Sequence, residues 1–268
     1  MTFAHMPEQT ERETDFKKPT YTDLIPGVPI KVRILDKEAV HIQTHFITSQ
    51  KISLRCLGDL CPICAKNRDL FNQNPGKKAN ELPGFIYKQN RYRTHALNRT
   101  QVKISPSGNV IYPVGGKFPP TDPDSGEPIV NVEARPLNRV EILERGPRLF
   151  EKFNIVNSTT FNDDGEAIGI WNFDISIVRS GMGTKTDYNV TPHPNLTEPV
   201  EVSEEDFFDL EATGIVLEPD EMMKAVAGVS LRDIFAQRRA SEENSELEEV
   251  VSSASQEVQN KVQDLFEA

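Results

Sequence analysis

The sequence predicts a mainly β protein: a small barrel of short antiparallel strands with few helices, interrupted by a cysteine-rich insert and followed by an acidic tail. Three observations carry this. Short runs of alternating apolar and polar residues recur between Gly-, Pro- and Asn-rich turns, the pattern of strands with one buried face. All three cysteines fall within nine residues, Cys56-Leu-Gly-Asp-Leu-Cys61-Pro-Ile-Cys64. The formal charge of −11 belongs to the C-terminal quarter, because residues 201–268 carry −13 and residues 1–200 carry +2. With 268 residues, 37% apolar and 26% charged, the chain has room for one large core or two modest ones.

Taken in order, residues 1–20 are polar and are expected to be a flexible leader. They contain no apolar stretch able to direct export, and no segment of the chain has the apolar length needed to cross a bilayer. Val28 to Leu35 alternates apolar residues with Lys31 and Arg33, which predicts a strand with a basic outer face. Ala39–Ile47 and Lys51–Leu57 read as a hairpin across the turn Thr48-Ser49-Gln50. Ala65–Phe71 suits a short helix, stopped by Asn74-Pro75-Gly76. Strands are expected at Gly84–Leu97, Val110–Val114 and Arg139–Leu143, with a Gly/Pro-rich loop at Gly115–Pro128 that holds Asp122 and Asp124. A helix at Arg148–Val156 precedes the clearest alternation, Gly169–Arg179, which includes Trp171. A turn at Ser180–Thr184 leads back into Lys185–Val190. Five or more such strands favour a small β-barrel, and an OB-type barrel is the kind that presents strand faces to oligonucleotides. The expected organisation is a leader (1–20), a barrel core (21–200) with a metal subdomain around 41–75, a short helical segment (201–240) and an acidic tail (241–268).

The cysteine stretch has the spacing of a zinc site. A Cys-x2-Cys pair around Pro-Ile forms a tight turn that aims two thiolates at one ion, and Cys56 is near enough to be a third ligand. The hairpin brings His45 back beside Cys56, and His41 shares its strand face, so either histidine can complete the tetrahedron. An odd number of closely spaced cysteines makes little sense as a disulfide framework. Three buried reduced thiols without metal are the plain alternative.

Bases and rings alternate further on. Lys77 to Lys103 holds seven bases and one acid, Glu81. Within it, Tyr87-Lys88-Gln-Asn-Arg91-Tyr92-Arg93 interleaves rings and cations at strand spacing, so that one face can meet phosphates and stack on bases. The other reading is a strand with one solvated cationic face and one half-buried aromatic face. Trp171 and the Gly181-x-Gly183 pair are expected to serve the core and a hairpin turn.

The order basic strand, His-Phe, strand ending in Cys, Cys-Pro-Ile-Cys, basic-aromatic strand, then Trp171-Asn-Phe-Asp-Ile-Ser-Ile-Val-Arg-Ser-Gly-Met-Gly-Thr-Lys185-Thr-Asp-Tyr-Asn-Val-Thr-Pro, resembles the tailed-phage single-stranded DNA-binding proteins of the T-even, helix-destabilising type. The resemblance spans roughly residues 28–195. It implies an OB-fold with an inserted zinc subdomain that coats single-stranded DNA in replication, recombination and repair, without catalysis, in the cytoplasm of an infected bacterial host. It implies Zn2+ on His45, Cys56, Cys61 and Cys64, and a DNA groove around Arg91, Tyr92 and Arg93. On that reading Lys31, Arg33, Tyr87, Lys88 and Lys185 extend the contact surface, and the protein self-associates on DNA. The ending Asp264-Leu265-Phe266 resembles the partner-docking tips of bacterial single-strand binders, which implies replication and recombination proteins as partners and no membrane. A function of another class, a zinc-ribbon enzyme or accessory subunit of nucleic-acid metabolism, fits the cysteine motif as well.

Overall fold

The computed structural model describes residues 19–162, 164–194 and 201–242. The expected leader falls almost wholly outside these residues, as does the acidic tail with Asp264, Leu265 and Phe266. The chain is mainly β with short helices. In order come β1 (Ile30–Ile34), β2 (Val40–Ile47), β3 (Ile52–Arg55), α1 (Pro62–Gln73), β4 (Lys88–Asn98), β5 (Gln101–Ile104), β6 (Val110–Ile111), β7 (Arg135–Pro136), β8 (Arg139–Arg145), α2 (Pro147–Thr159), β9 (Asp174–Ser180), β10 (Asp187–His193) and α3 (Pro219–Val226). Residues 231–242 are helical as well. Among the described residues, no helix is long and apolar enough to cross a membrane. The chain folds as two compact units, one containing residues 19–40 and 92–213 and the other residues 41–91 and 214–242.

In the first unit an antiparallel sheet runs in the order β10-β9-β1-β4-β8. Its period-two alternation sends Ile30, Val32, Ile34, Ile175 and Ile177 to one face, where they meet Leu149, Phe150, Phe153 and Val156 of α2. Those four recur at helical spacing behind a Pro147 placed at the first helical position, where its missing N–H costs nothing. Each such side chain, once fully buried, contributes about 1.5–3 kcal/mol of transfer free energy.

The sheet does not close into the OB-type barrel expected from the sequence. The free edge of β8 is already occupied: Ile142 N–H donates to Thr20 O at 2.8 Å, and Thr22 N–H to Ile142 O at 2.9 Å. With those groups satisfied by the chain leading into β1, β10 has no ladder to join on β8.

Two other expectations change in this unit. The strand expected from Gly169 begins only at Asp174, because residues 170–172 form a single 3-10 turn. There a Cβ on Gly169 would lie 2.2 Å from the Trp171 ring, so only glycine fits under the indole. Trp171 itself packs half-buried against the core. Asp122, expected on a surface loop, is buried beside the small sheet β6-β5-β7. It accepts from Asn109 Nδ2 (2.8 Å), Asp124 N (2.9 Å) and Ser125 Oγ (2.8 Å). These donors, Asn109 foremost, hold its carboxyl far below the usual range.

The second unit is built on the β2–β3 hairpin, whose register pairs Thr44 with Arg55 and Ile47 with Ile52. Lys51 takes the left-handed conformation (φ 55°) that closes the turn. Ile215 extends the other edge of β3, accepting from Arg55 N at 3.1 Å. Ile47, Leu54, Cys61, Ile63, Leu217, Met222, Ala225 and Ile234 form its core. α3 starts on a capping box in which Glu218 N donates to Glu221 Oε2 at 2.9 Å, and Arg238 pairs with the same Glu221. At the other end Gln50 Nε2, from the hairpin turn, donates to Ala225 O (2.6 Å) and Val229 O (2.8 Å). Thus residues between 215 and 235, part of the 201–240 segment set apart on sequence, share a core with the cysteines.

Candidate metal centre

Four side chains converge in the second unit. His45 stands on β2 opposite Leu54 and is fully buried. Cys56 follows β3 by one residue, and its N–H still donates to Gln43 O at 2.8 Å, so the ladder fixes where its thiol starts. Next comes a knuckle. Gly58, at φ 62°, opens a 3-10 turn over Gly58–Leu60, and Cys61 N–H closes it on Gly58 O at 3.2 Å. Cys61 then caps α1 in an extended conformation, with Pro62 as the first helical residue and Cys64 in the first turn. The hairpin therefore supplies two ligand atoms, the local turn one and the helix start one.

The ligand atoms all lie within 4.8 Å of one another. Cys61 Sγ is 3.3 Å and Cys64 Sγ 3.4 Å from His45 Nε2, and Cys56 Sγ is 3.6 Å from Cys64 Sγ. A tetrahedron with Zn–S bonds of about 2.3 Å and a Zn–N bond of about 2.05 Å has edges of roughly 3.8 Å (S to S) and 3.5 Å (S to N). The cluster has the donor set and the size of a structural zinc site.

Its electrostatics also suit a cation. Burial, reinforced by the positive charge of Lys88, pulls the His45 imidazole below its ordinary pKa, while the carbonyls of Tyr87 and Ile86 pull the other way. That favours the neutral ring a metal requires. Nδ1 is buried without a hydrogen bond of good geometry. Burial works against ionisation of Cys61, but hydrogen bonds from the backbone of Cys64, Leu57 and Ile63 outweigh it and lower its pKa. Cys64 is pushed up to about 12 by burial and by the neighbouring Cys56 and Cys61 thiols. Three thiols this close cannot all ionise unless a cation offsets the repulsion.

Of the two histidines, His45 is in the cluster. His41, exposed, pairs its Nε2 with Asn90 Oδ1 at 3.2 Å. Four residues of strand, at about 3.3 Å each, carry it roughly 13 Å away along the same face. Sequence reasoning missed Met222, whose Sδ is 3.8 Å from Cys61 Sγ. The Met222-Met223 pair in an apolar helical run was the available signal, with nothing to show where it docks.

The residues expected to contact DNA divide by environment. In the second unit Tyr87 and Lys88 are exposed, while Arg91 is half-buried with Nη2 on Gln89 Oε1 at 2.7 Å. In the first unit Lys185 is exposed and Lys31 reaches Asp174 Oδ2 at 3.1 Å. Arg33 is buried, with Nε and Nη2 on Asp174 Oδ1 at 2.9 and 2.8 Å. Arg93 is buried too, bound to Glu144 Oε2 (2.8 Å), Leu210 O (2.9 Å) and Thr213 O. The Tyr92 ring packs 5.3 Å from Phe150 against the core. For Arg33, Tyr92 and Arg93 the fold itself takes up the groups the sequence reading assigned to DNA.

Exposed rings gather instead on the second unit. Phe46, Phe85 and Tyr87 line a groove of about 380 Å3 together with Lys66. Phe85 is edge-on to Tyr87 at 5.0 Å and to Phe71 at 5.3 Å, and Phe46, Phe71 and Tyr87 are 37%, 40% and 52% exposed. No protein-family model matches the sequence, and no curated protein matches it.

Proposed function

We propose that the protein binds single-stranded DNA without acting on it chemically, and that the Cys3His cluster holds one structural Zn2+. The observation that carries this reading is the ring-lined groove on the metal-bearing unit. Large apolar side chains are seldom left exposed in a group, and a group of rings beside bases is a stacking platform: every base has a π-face, so stacking is tolerant of sequence and worth roughly 1–3 kcal/mol per base. Phe46, Phe85 and Tyr87 supply the rings, and Lys66 and Lys88 the cations for phosphates. Zinc would tie the hairpin, the knuckle and α1 together, and so fix Lys88 and Tyr87, which follow the Ile86 carbonyl near His45.

The first unit supports the same reading at the level of fold. Its strands β1, β4, β8, β9 and β10 are joined in an order that puts a helix, α2, between the third and fourth, with the first strand paired to the second and fourth. That order supports reading the sheet as an OB-type barrel left partly open. Fold alone does not assign function, but it agrees with the resemblance to phage single-strand binders.

The test is a fluorescence titration of labelled oligo-dT and of a duplex of equal length at two salt concentrations, repeated with Tyr87→Ala. Preference for the single strand, loss of affinity with salt, and a loss of roughly 1–3 kcal/mol in the variant are expected. Equal affinity for both DNA forms refutes the proposal, and so does cleavage of either in Mg2+.

A further inference from the structure

β1, β9 and β10 pair so that two rows of side chains cross the face of the sheet opposite the core. In one row Lys31 lies beside Ser176, which lies beside Thr191. In the next, Arg33 lies beside Asp174, which lies beside His193. Directly paired side chains on one face stand about 4.5–5.5 Å apart, so each row is a short polar track.

Asp174 is completely buried and saturated with donors. Its Oδ1 accepts from Arg33 Nε (2.9 Å) and Nη2 (2.8 Å), and its Oδ2 meets Arg99 Nη1 (3.1 Å) and Lys31 Nζ (3.1 Å). The two-pronged Arg33 contact alone matches one carboxylate charge. Lys31 is therefore surplus to the neutralisation of Asp174, and it is the member nearest solvent, with its side chain 33% exposed against 8% for Arg33 and 14% for Arg99. Along its row, Ser176 Oγ is 2.8 Å from His193 Nε2, and Thr191 is exposed.

We infer that Lys31, Ser176 and Thr191 form a seat for one phosphate group, with Asp174 as the positioning residue that holds Lys31 in place. An ammonium has three N–H donors, of which Asp174 engages one side; the exposed Thr191 hydroxyl adds a donor, and the Ser176 hydroxyl, hydrogen-bonded to His193 Nε2, links the seat to that ring. Because the lysine is already ordered, a phosphate does not have to bear the cost of fixing a flexible side chain. Arg33 and Arg99 raise the positive potential beneath it and turn away cations. The shared chemistry is a phosphate monoester, diester or pyrophosphate; taking the DNA backbone as its source rests on the function proposed above.

Two measurements test this in the full-length protein. The first is the dependence of oligo-dT affinity on salt for wild type, Lys31→Gln, Thr191→Val and Lys117→Gln, the last an exposed loop lysine that serves as control. Loss of one phosphate contact lowers the slope of log K against log salt by about 0.7 on single strands. Lys31→Gln is expected to show that loss, Thr191→Val a several-fold weakening at unchanged slope, and Lys117→Gln neither. An unchanged slope in Lys31→Gln, or an equal change in Lys117→Gln, overturns the seat on DNA. The second is a pyrophosphate titration followed by the His193 ring resonances. Saturable shifts in wild type that are absent in Lys31→Gln support the seat, and show that it accepts free phosphate even if oligo-dT does not bind. No shift together with no slope change overturns the inference whatever becomes of the DNA reading.

Discussion

Replacing Arg93 with alanine separates a structural arginine from a DNA-binding one. Arg93 is 4% exposed, and its guanidinium joins β4 to β8 through Glu144 and reaches the carbonyls of Leu210 and Thr213. Truncation leaves a carboxylate and two carbonyls without their donor. Breaking a buried ion pair by removing one partner costs about 3–5 kcal/mol. The Glu144 side chain keeps 19% exposure and can take up water, which places the loss near the lower end, at about 3 kcal/mol. For a chain of this size 1 kcal/mol corresponds to roughly 2–4 °C, so the melting temperature is expected to fall by about 6–12 °C. Arg93→Lys keeps the charge but not the fork, and should recover part of that loss. Circular dichroism melts of the three proteins, beside salt-dependent oligo-dT titrations at a temperature where all are folded, make the comparison. If Arg93→Ala melts with wild type while its salt slope drops by about 0.7, the arginine faces DNA and the argument from burial is refuted.

Elemental analysis of protein purified without chelator should give one zinc per chain, retained by His41→Ala and lost by His45→Ala; equal retention in both would remove the histidine from the ligand set. Zinc release on acidification, read with a metallochromic dye, should take up more than one proton per ion, because the thiolates as well as the imidazole must be protonated as the metal leaves; a one-proton release would contradict the three-thiolate ligand set. Glu221 is held below its ordinary value of 4.5, first by its hydrogen bond from Arg238 and then by Glu218 N–H. Since the folded value is the depressed one, the stability it adds is whole above the unfolded value and is lost as pH falls through the folded one. Denaturation midpoints of wild type and Glu221→Gln should therefore differ by a constant amount at neutral pH and converge in acid; a gap that persists undiminished to about pH 2 contradicts the assignment.

How much of this was legible in the sequence depended on how far along the chain the cause lay. The Cys56–Cys61–Cys64 knuckle was readable because its ligands sit in one turn and one helix start, and α2 because four apolar residues repeat at helical spacing. The choice between His41 and His45 was not, since both lie on the same strand face and only the distance along it separates them. Arg33 and Arg93 looked like DNA contacts because alternation reports which face a side chain takes and not what covers it. Their partners, Asp174 and Leu210, are 141 and 117 residues away. Trp171 fitted an alternating strand, yet the space that Gly169 leaves under its ring favours a turn. β5 and β7, at four and two residues, are too short to stand out from their loops.

The meeting of Cys61 with Met222 across 161 residues has a consequence in time. A chain made at about 5–20 residues per second delivers its knuckle roughly 10–30 s before the helix that covers it. During that interval Leu54 and Ile63 have no Leu217 or Met222 to pack against, and the hairpin alone is too small to hold itself together. Metal capture needs only the early segment. An ion bound at that stage would keep the nascent hairpin and α1 in their final arrangement and limit the exposure of an unpaired β3 edge until Ile215 arrives to occupy it. If the cluster takes up zinc in that interval, cells short of zinc should accumulate the protein as aggregate made during synthesis; unchanged solubility in zinc-starved cells would count against that order of events.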